Sequence, residues 1–93
     1  MKVKVGDIIL NEWASETNPI RISIVIKKVG QYVYCWHIAD DGKEKRLGEC
    51  RYYTRHITEN EYNKYHIIGH CDYITHIREA LQKAKELVGE DNA

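Results

Sequence analysis

Two runs of alternating residues stand back to back, RISIVIKKV from Arg21 and QYVYCWHIA from Gln31. Period-two alternation puts successive side chains on opposite faces of an extended chain, and the β-branched and aromatic content favours strands over helix. In the first run Ile22, Ile24 and Ile26 share a face. In the second, Tyr32, Tyr34 and Trp36 share one face while Val33, Cys35 and His37 share the other. Val29-Gly30 turns the chain between the runs. Asp40-Asp41-Gly42 comes next as a hairpin signal, because Asp-Gly tolerates the positive φ that tight turns require. A third, more polar strand, KEKRLGECRYY, returns from that turn. Any fold for this chain must therefore contain an antiparallel sheet.

The flanks extend the pattern. VKVGDIIL sets Val3, Val5 and Ile8 among polar residues, with Gly6-Asp7 as a bend or bulge. Asn11 to Ile20 is rich in turn residues, holds the single proline, and carries Trp13 in a loop-like context. After residue 57 the character changes. Thr58 with Glu61 three residues later has capping-box spacing and predicts a short helix near residues 59–65. HIIGH then reads as a short strand or extended link. Asp72 stands where it would cap a last helix, and Ile74, Ile77, Leu81, Ala84 and Val88 form one apolar helical stripe. Gly89 is placed to end that helix in a left-handed residue. An isolated helix of this length is marginal in water, so the stripe must dock on the sheet or on a second chain.

With 93 residues the chain fits one domain, β-rich over 1–57 and helical over 58–93. It is 43% hydrophobic and 30% charged, which is a globular rather than a disordered balance. Cations and anions number 14 each, which argues against nonspecific electrostatic binding of nucleic acid but leaves room for a local basic face. Three cysteines cannot pair completely within one chain, so a reducing cytoplasm is the expected setting rather than a disulfide scaffold. The opening residues are too polar for a signal peptide, and no segment is apolar over the length of a membrane span.

KVGDII, the long loop after it and the closely spaced strands resemble the opening of an SH3-like barrel over roughly residues 3–57. That likeness implies a small, twisted antiparallel β-barrel followed by a short helix and an amphipathic C-terminal helix, an α+β fold; it implies no activity. The whole chain, by its size, its Lys, Ile, Asn and Tyr content and its GDIILNEWA opening, also resembles short accessory proteins of phages and prophages of Gram-positive bacteria. Such proteins often bind and block a host component, and that is the partner class the likeness implies.

Three kinds of chemistry compete for the polar residues. HIIGHCDYITH, residues 66–76, gathers His66, His70, Cys71 and His76, all of them zinc-ligand types, yet no C-x2-C pair is present and the spacing forces no convergence. The alternative is an ordinary entry to the last helix, with Gly69 easing a bend and Asp72 capping. A catalytic reading needs a nucleophile, a base and an orienter in reach. Cys35 and His37 share a face, but nothing beside them resembles an oxyanion site or a phosphate loop, so the expectation is a protein that is not an enzyme and carries no cofactor.

Binding is the better-supported class. Residues 43–56 hold Lys43, Lys45, Arg46, Arg51 and Arg55 against Glu44 and Glu49, with Tyr52 and Tyr53 among them. There are seven Tyr and two Trp in the chain and no Phe. Tyr, Trp and Arg are the residues that dominate binding surfaces. Trp13, Arg21, Tyr34, Trp36, Arg51 and Tyr53 are the expected contact residues, for a host protein or a small nucleotide signal. A nucleic-acid module that stacks bases on the same face is the alternative, and a zinc-supported domain is a third. Strict alternation adds that Tyr52 and Tyr53 cannot face the same way. A homodimer would cover the expected aromatic surface.

Overall fold

The computed structural model describes residues 2–17, 19–40, 42–59, 63–72 and 76–89. Its strands are Asp7–Asn11 (β1), Ile22–Val29 (β2), Tyr32–Asp40 (β3), Lys45–Tyr53 (β4) and Tyr65–His70 (β5). Helix Thr54–Thr58 (α1) joins β4 to β5, and helix Ile77–Leu87 (α2) comes after β5. All neighbouring strands are antiparallel, in the order β4-β3-β2-β1-β5. The fold is α+β, an antiparallel five-stranded sheet with a short helix and a C-terminal helix.

The central strands are apolar on both faces. Ile9, Val25, Val33 and Cys35 point to one face, where Val3 and Ile57 of α1 complete a core edged by Cys50, Tyr52, Tyr65 and Ile67. Their sequence neighbours Ile8, Ile22 and Ile24 point to the other face and pack with Ile77, Leu81 and Ala84 of α2. The expected helical stripe is thus docked on the sheet of its own chain, chiefly on β2 and β3. Ile74, the first residue of that stripe, lies outside the described residues. Each fully buried aliphatic side chain contributes about 1.5–3 kcal/mol before ordering entropy is counted. The helix ends as its sequence predicts, with Gly89 at φ +79° donating its N–H to the Glu86 carbonyl.

Several sequence expectations are corrected. The sheet is not closed into a barrel: β4 and β5 are opposite edges of one open sheet, with no ladder between them among the described residues. α1 packs against both edge strands, and its Ile57 fills the space that closure would have taken. The short helix forms at Thr54–Thr58 rather than near 59–65. Thr58 ends it instead of capping it, and its Oγ1 donates to the Thr54 carbonyl at 3.2 Å. Burial of Ile57 decides the position, overriding the local cap signal; Glu61 lies outside the described residues. HIIGH is an edge strand, the fifth member of the sheet. Asp72 does not cap α2, whose N-cap is His76; its carboxylate faces His70 Nε2 at 2.9 Å.

Two backbone devices hold the ends of β1 in place. Gly6 has φ +96° and lies so close to the Cys71 carbonyl that a Cβ would collide with it. Cys71 donates its N–H to the Gly6 carbonyl at 2.8 Å, tying the approach to β1 to the end of β5. Buried Asn11 fixes the long loop: its Nδ2 donates to the Ile20 carbonyl, and its Oδ1 accepts the Trp13 N–H at 2.9 Å. Leu81→Ala should lower stability by about 2–5 kcal/mol, since Leu81 is fully buried beneath α2. Equilibrium urea unfolding measures this, and a change below about 1 kcal/mol would mean that α2 is not docked as described.

Candidate functional site

The face of the sheet that α2 covers is covered only in part. Trp36, Ile38 and Leu47 lie half-buried against the α2 core. Farther along β3 and β4 the same face continues as Tyr34, Tyr32, Arg51 and Tyr53, beyond the helix. The register sets Tyr34 opposite Arg51 and Tyr32 opposite Tyr53. Tyr32 and Tyr53 stack with centroids 4.8 Å apart and hydroxyls 3.3 Å apart. The Arg51 guanidinium lies 4.6 Å from the Tyr32 ring centre, and Arg55 lies 5.6 Å from that of Tyr53. Tyr52 points the other way into the core, as alternation requires.

Lys27 joins this face through a fold feature. Strict alternation would put Lys27 on the side of Val25. The β2–β3 register shifts between Val25 and Lys27, so Val25 opposes Cys35 while Lys27 opposes Tyr34. The extra residue of this bulge rotates Lys27 and Val29 onto the tyrosine face. Lys27 Nζ lies 5.0 Å from the Tyr34 ring centre, and Val29 is 53% exposed beside the Tyr32 pair. Each cation–ring contact at an exposed site contributes about 0.5–1 kcal/mol. The surface is shallow, with small hollows of about 220 Å³ at Tyr34, Glu49, Cys50 and Arg51 and about 260 Å³ at Gln31, Tyr53, Thr54, Arg55 and Thr58. Hydrogen bonding to Tyr53 raises the Tyr32 phenol above its ordinary pKa.

Of the six expected contact residues, Tyr34, Arg51 and Tyr53 come together here. Tyr32, Lys27 and Arg55 complete the group; only Lys27 had no signal in the sequence, because a bulge inside a β-branched run leaves no mark on composition. Trp36 is half-buried in the α2 core and faces Glu49 across the ladder. Trp13 and Arg21 lie at the opposite end of the sheet. There the Lys64 ammonium is 5.9 Å from the Trp13 ring centre, and Trp13 is 51% exposed. Glu12 Oε2 meets His66 Nε2 at 3.0 Å, and this hydrogen bond holds the Glu12 carboxyl below its usual pKa.

The histidines of HIIGHCDYITH take separate partners. His66 pairs with Glu12 and His76 faces Glu79 at 3.4 Å. His70 Nδ1 meets the buried Asp7 carboxylate at 2.7 Å. Asp7 also accepts the Lys4 N–H at 2.9 Å. With Asp72 on its other nitrogen, His70 bridges two carboxylates, donating to both when the ring carries its second proton. Among the described residues no three His, Cys, Asp or Glu side chains are grouped to hold a metal ion. His70, Cys71 and His76 do line a cleft of about 400 Å³ between β5 and α2, together with Glu79 and Lys83.

On the face turned away from α2, Cys35 and Cys50 stand directly opposite each other in the β3–β4 ladder. Neither is in a disulfide. The Cys35 thiol hydrogen-bonds to Cys50, which pushes Cys35 up and holds Cys50 below the ordinary thiol range. Burial pushes the neighbouring Tyr52 phenol up. Next along β3, His37 lies over Gly48, where a Cβ would come within 2.8 Å of its Nε2. Cys35 and His37 therefore share a strand face, but the Cys35 thiol is engaged with Cys50.

Burial lowers the His37 pKa, with the charge of Lys85 adding to it. Above about pH 6.5 the ring is neutral in both folded and unfolded chains. As pH falls below that value the unfolded chain takes up the proton first, so the folded state loses stability relative to its value at neutral pH. The difference in urea midpoint between the protein and His37→Gln should therefore shrink or reverse between about pH 7.5 and pH 5.5; a pH-independent difference would contradict burial of the neutral ring. Asp7→Ala should cost about 1.5–3 kcal/mol at neutral pH, measured the same way, because it removes two hydrogen bonds to a buried carboxylate. No family model, curated protein or solved structure matches the chain.

Proposed function

We propose that the chain is a non-catalytic binding protein that docks a flat, anionic protein surface on the face formed by Tyr32, Tyr34, Tyr53, Arg51, Lys27 and Arg55. Its action is to block or sequester that partner in the cytoplasm, in the manner of the phage accessory proteins it resembles. The observation that carries this reading is the half-exposed tyrosine ladder with Arg51 and Lys27 laid over its rings. Rigid aromatic rings offer large contact area at small entropic cost, and the cations are already held in place. Small-molecule sites are concave, with volumes of about 300–1,000 Å³. The shallow hollows on this face favour a macromolecule over an enclosed nucleotide.

A second reading is single-stranded nucleic acid, favoured by the stacked Tyr32–Tyr53 pair beside Arg51, since bases stack on such rings and phosphates pair with such cations. The two readings separate by experiment. A protein partner captured from host extract should be retained by the wild-type chain and by Trp36→Phe, and lost with Tyr34→Ala/Arg51→Ala, each variant first shown to melt like wild type. Retention by the double variant would sink the face. Fluorescence anisotropy with a labelled oligothymidine tests the alternative: affinity should fall steeply from about 50 to 200 mM salt, and Arg51→Ala should reduce the salt slope by about one. Salt-independent or absent binding removes the nucleic-acid reading and leaves the protein one standing.

A further inference from the structure

We infer that Cys50 and Cys35 are a built site of reversible oxidation, in which hydrogen peroxide converts Cys50 to a sulfenic acid and Cys35 resolves it to an intrachain disulfide. This inference does not depend on the docking face. The two residues are direct partners in the β3–β4 register; Cys35 belongs to the buried cluster and Cys50 packs half-buried against it. Directly opposed residues of an antiparallel pair have Cα atoms about 4.5–5.5 Å apart, inside the range of about 4.4–6.8 Å that a disulfide spans. Ladder register alone therefore sets the two Cα atoms at a separation that a disulfide can span.

The two thiols are not equivalent, and their differences assign the roles. Cys50 is partly exposed on the outermost strand. Cys35 is fully buried one strand inward. A peroxide therefore meets Cys50 first, and Cys35 waits beneath it. The lining is not a purely apolar core: the buried Ser23 hydroxyl, which has no hydrogen-bond partner, lies on the same face of the sheet.

The chemistry balances. The Cys50 thiolate attacks one peroxide oxygen, the O–O bond breaks, and the departing hydroxide takes up the proton that the thiol had released, leaving water and a sulfenic acid. The Cys35 sulfur then attacks the Cys50 sulfur. The S–O bond breaks, and the hydroxyl leaves as water with the Cys35 proton. Two thiols and one peroxide give one disulfide and two waters. A dithiol reductant restores both thiols by disulfide exchange and is itself oxidised to a disulfide.

Trypsin places the three cysteines in separate peptides, 29–43, 47–51 and 65–78, so the full-length protein reports its own pairing. Native protein treated with hydrogen peroxide, alkylated and digested without reductant should yield the 29–43 and 47–51 peptides linked, with the loss of two hydrogens, and dithiothreitol should restore both thiols. Cys35→Ser should stop at the sulfenic acid, trapped on the 47–51 peptide by dimedone, and Cys50→Ser should leave Cys35 unreacted. Should either variant fail to fold, the order of thiol loss in the wild-type protein decides. Cys50 and Cys35 disappearing together and before Cys71 supports the site. Oxidation of Cys71 while the pair stays reduced, or a disulfide involving Cys71 or a second chain in place of this pair, overturns it.

Discussion

Two-sided burial of β1 and β2 governs this structure. Ile8 and Ile9, and Ile24 and Val25, are adjacent in sequence and all fully or nearly fully buried, on opposite faces of one sheet. A sheet with apolar groups on both faces needs two covers. A chain this short has few elements to supply them. One cover is Val3 with the single turn of α1, placed there by the path of the chain between the two edges. The other is α2, whose stripe of Ile77, Leu81 and Ala84 reaches across β2 and part of β3.

The candidate site arises from the limits of that second cover. α2 has eleven residues and shelters the half of the face that carries Trp36 and Ile38. The remaining half carries Tyr32, Tyr34 and Tyr53, residues whose hydroxyls tolerate water as Phe would not. Composition and architecture agree here: the absence of Phe and the abundance of Tyr suit a sheet that is left part-open. The charges of β4, an edge strand, also discourage pairing with a further strand.

Ladder register links the proposed docking face to the cysteine pair. The same β3–β4 pairing that sets Tyr34 against Arg51 on one face sets Cys35 against Cys50 on the other, one rung along. Recognition and thiol chemistry would thus occupy opposite sides of a single hairpin. The histidine-rich stretch has a structural part instead. His70 and the Cys71 backbone fasten β5 to β1 through Asp7 and Gly6, and His66 fastens its other end to Glu12.

The sequence by itself determined the strands, the turn at Gly30, the apolar stripe of α2 and the opposite orientations of Tyr52 and Tyr53. Period and turn chemistry are local, and burial of the resulting faces reinforces them. It also held the aromatic–cation composition of the site and three of the residues that form it. Tertiary structure decided the rest. A bulge after Val25 put Lys27 beside Tyr34, where alternation alone would have turned it away. The long loop carried Trp13 and Arg21 to the far end of the sheet, and docking of α2 half-buried Trp36 away from the Tyr34–Arg51 group. The open sheet, the position of α1 and the pairing of Cys35 with Cys50 likewise depend on contacts between distant segments, whose register no local pattern encodes.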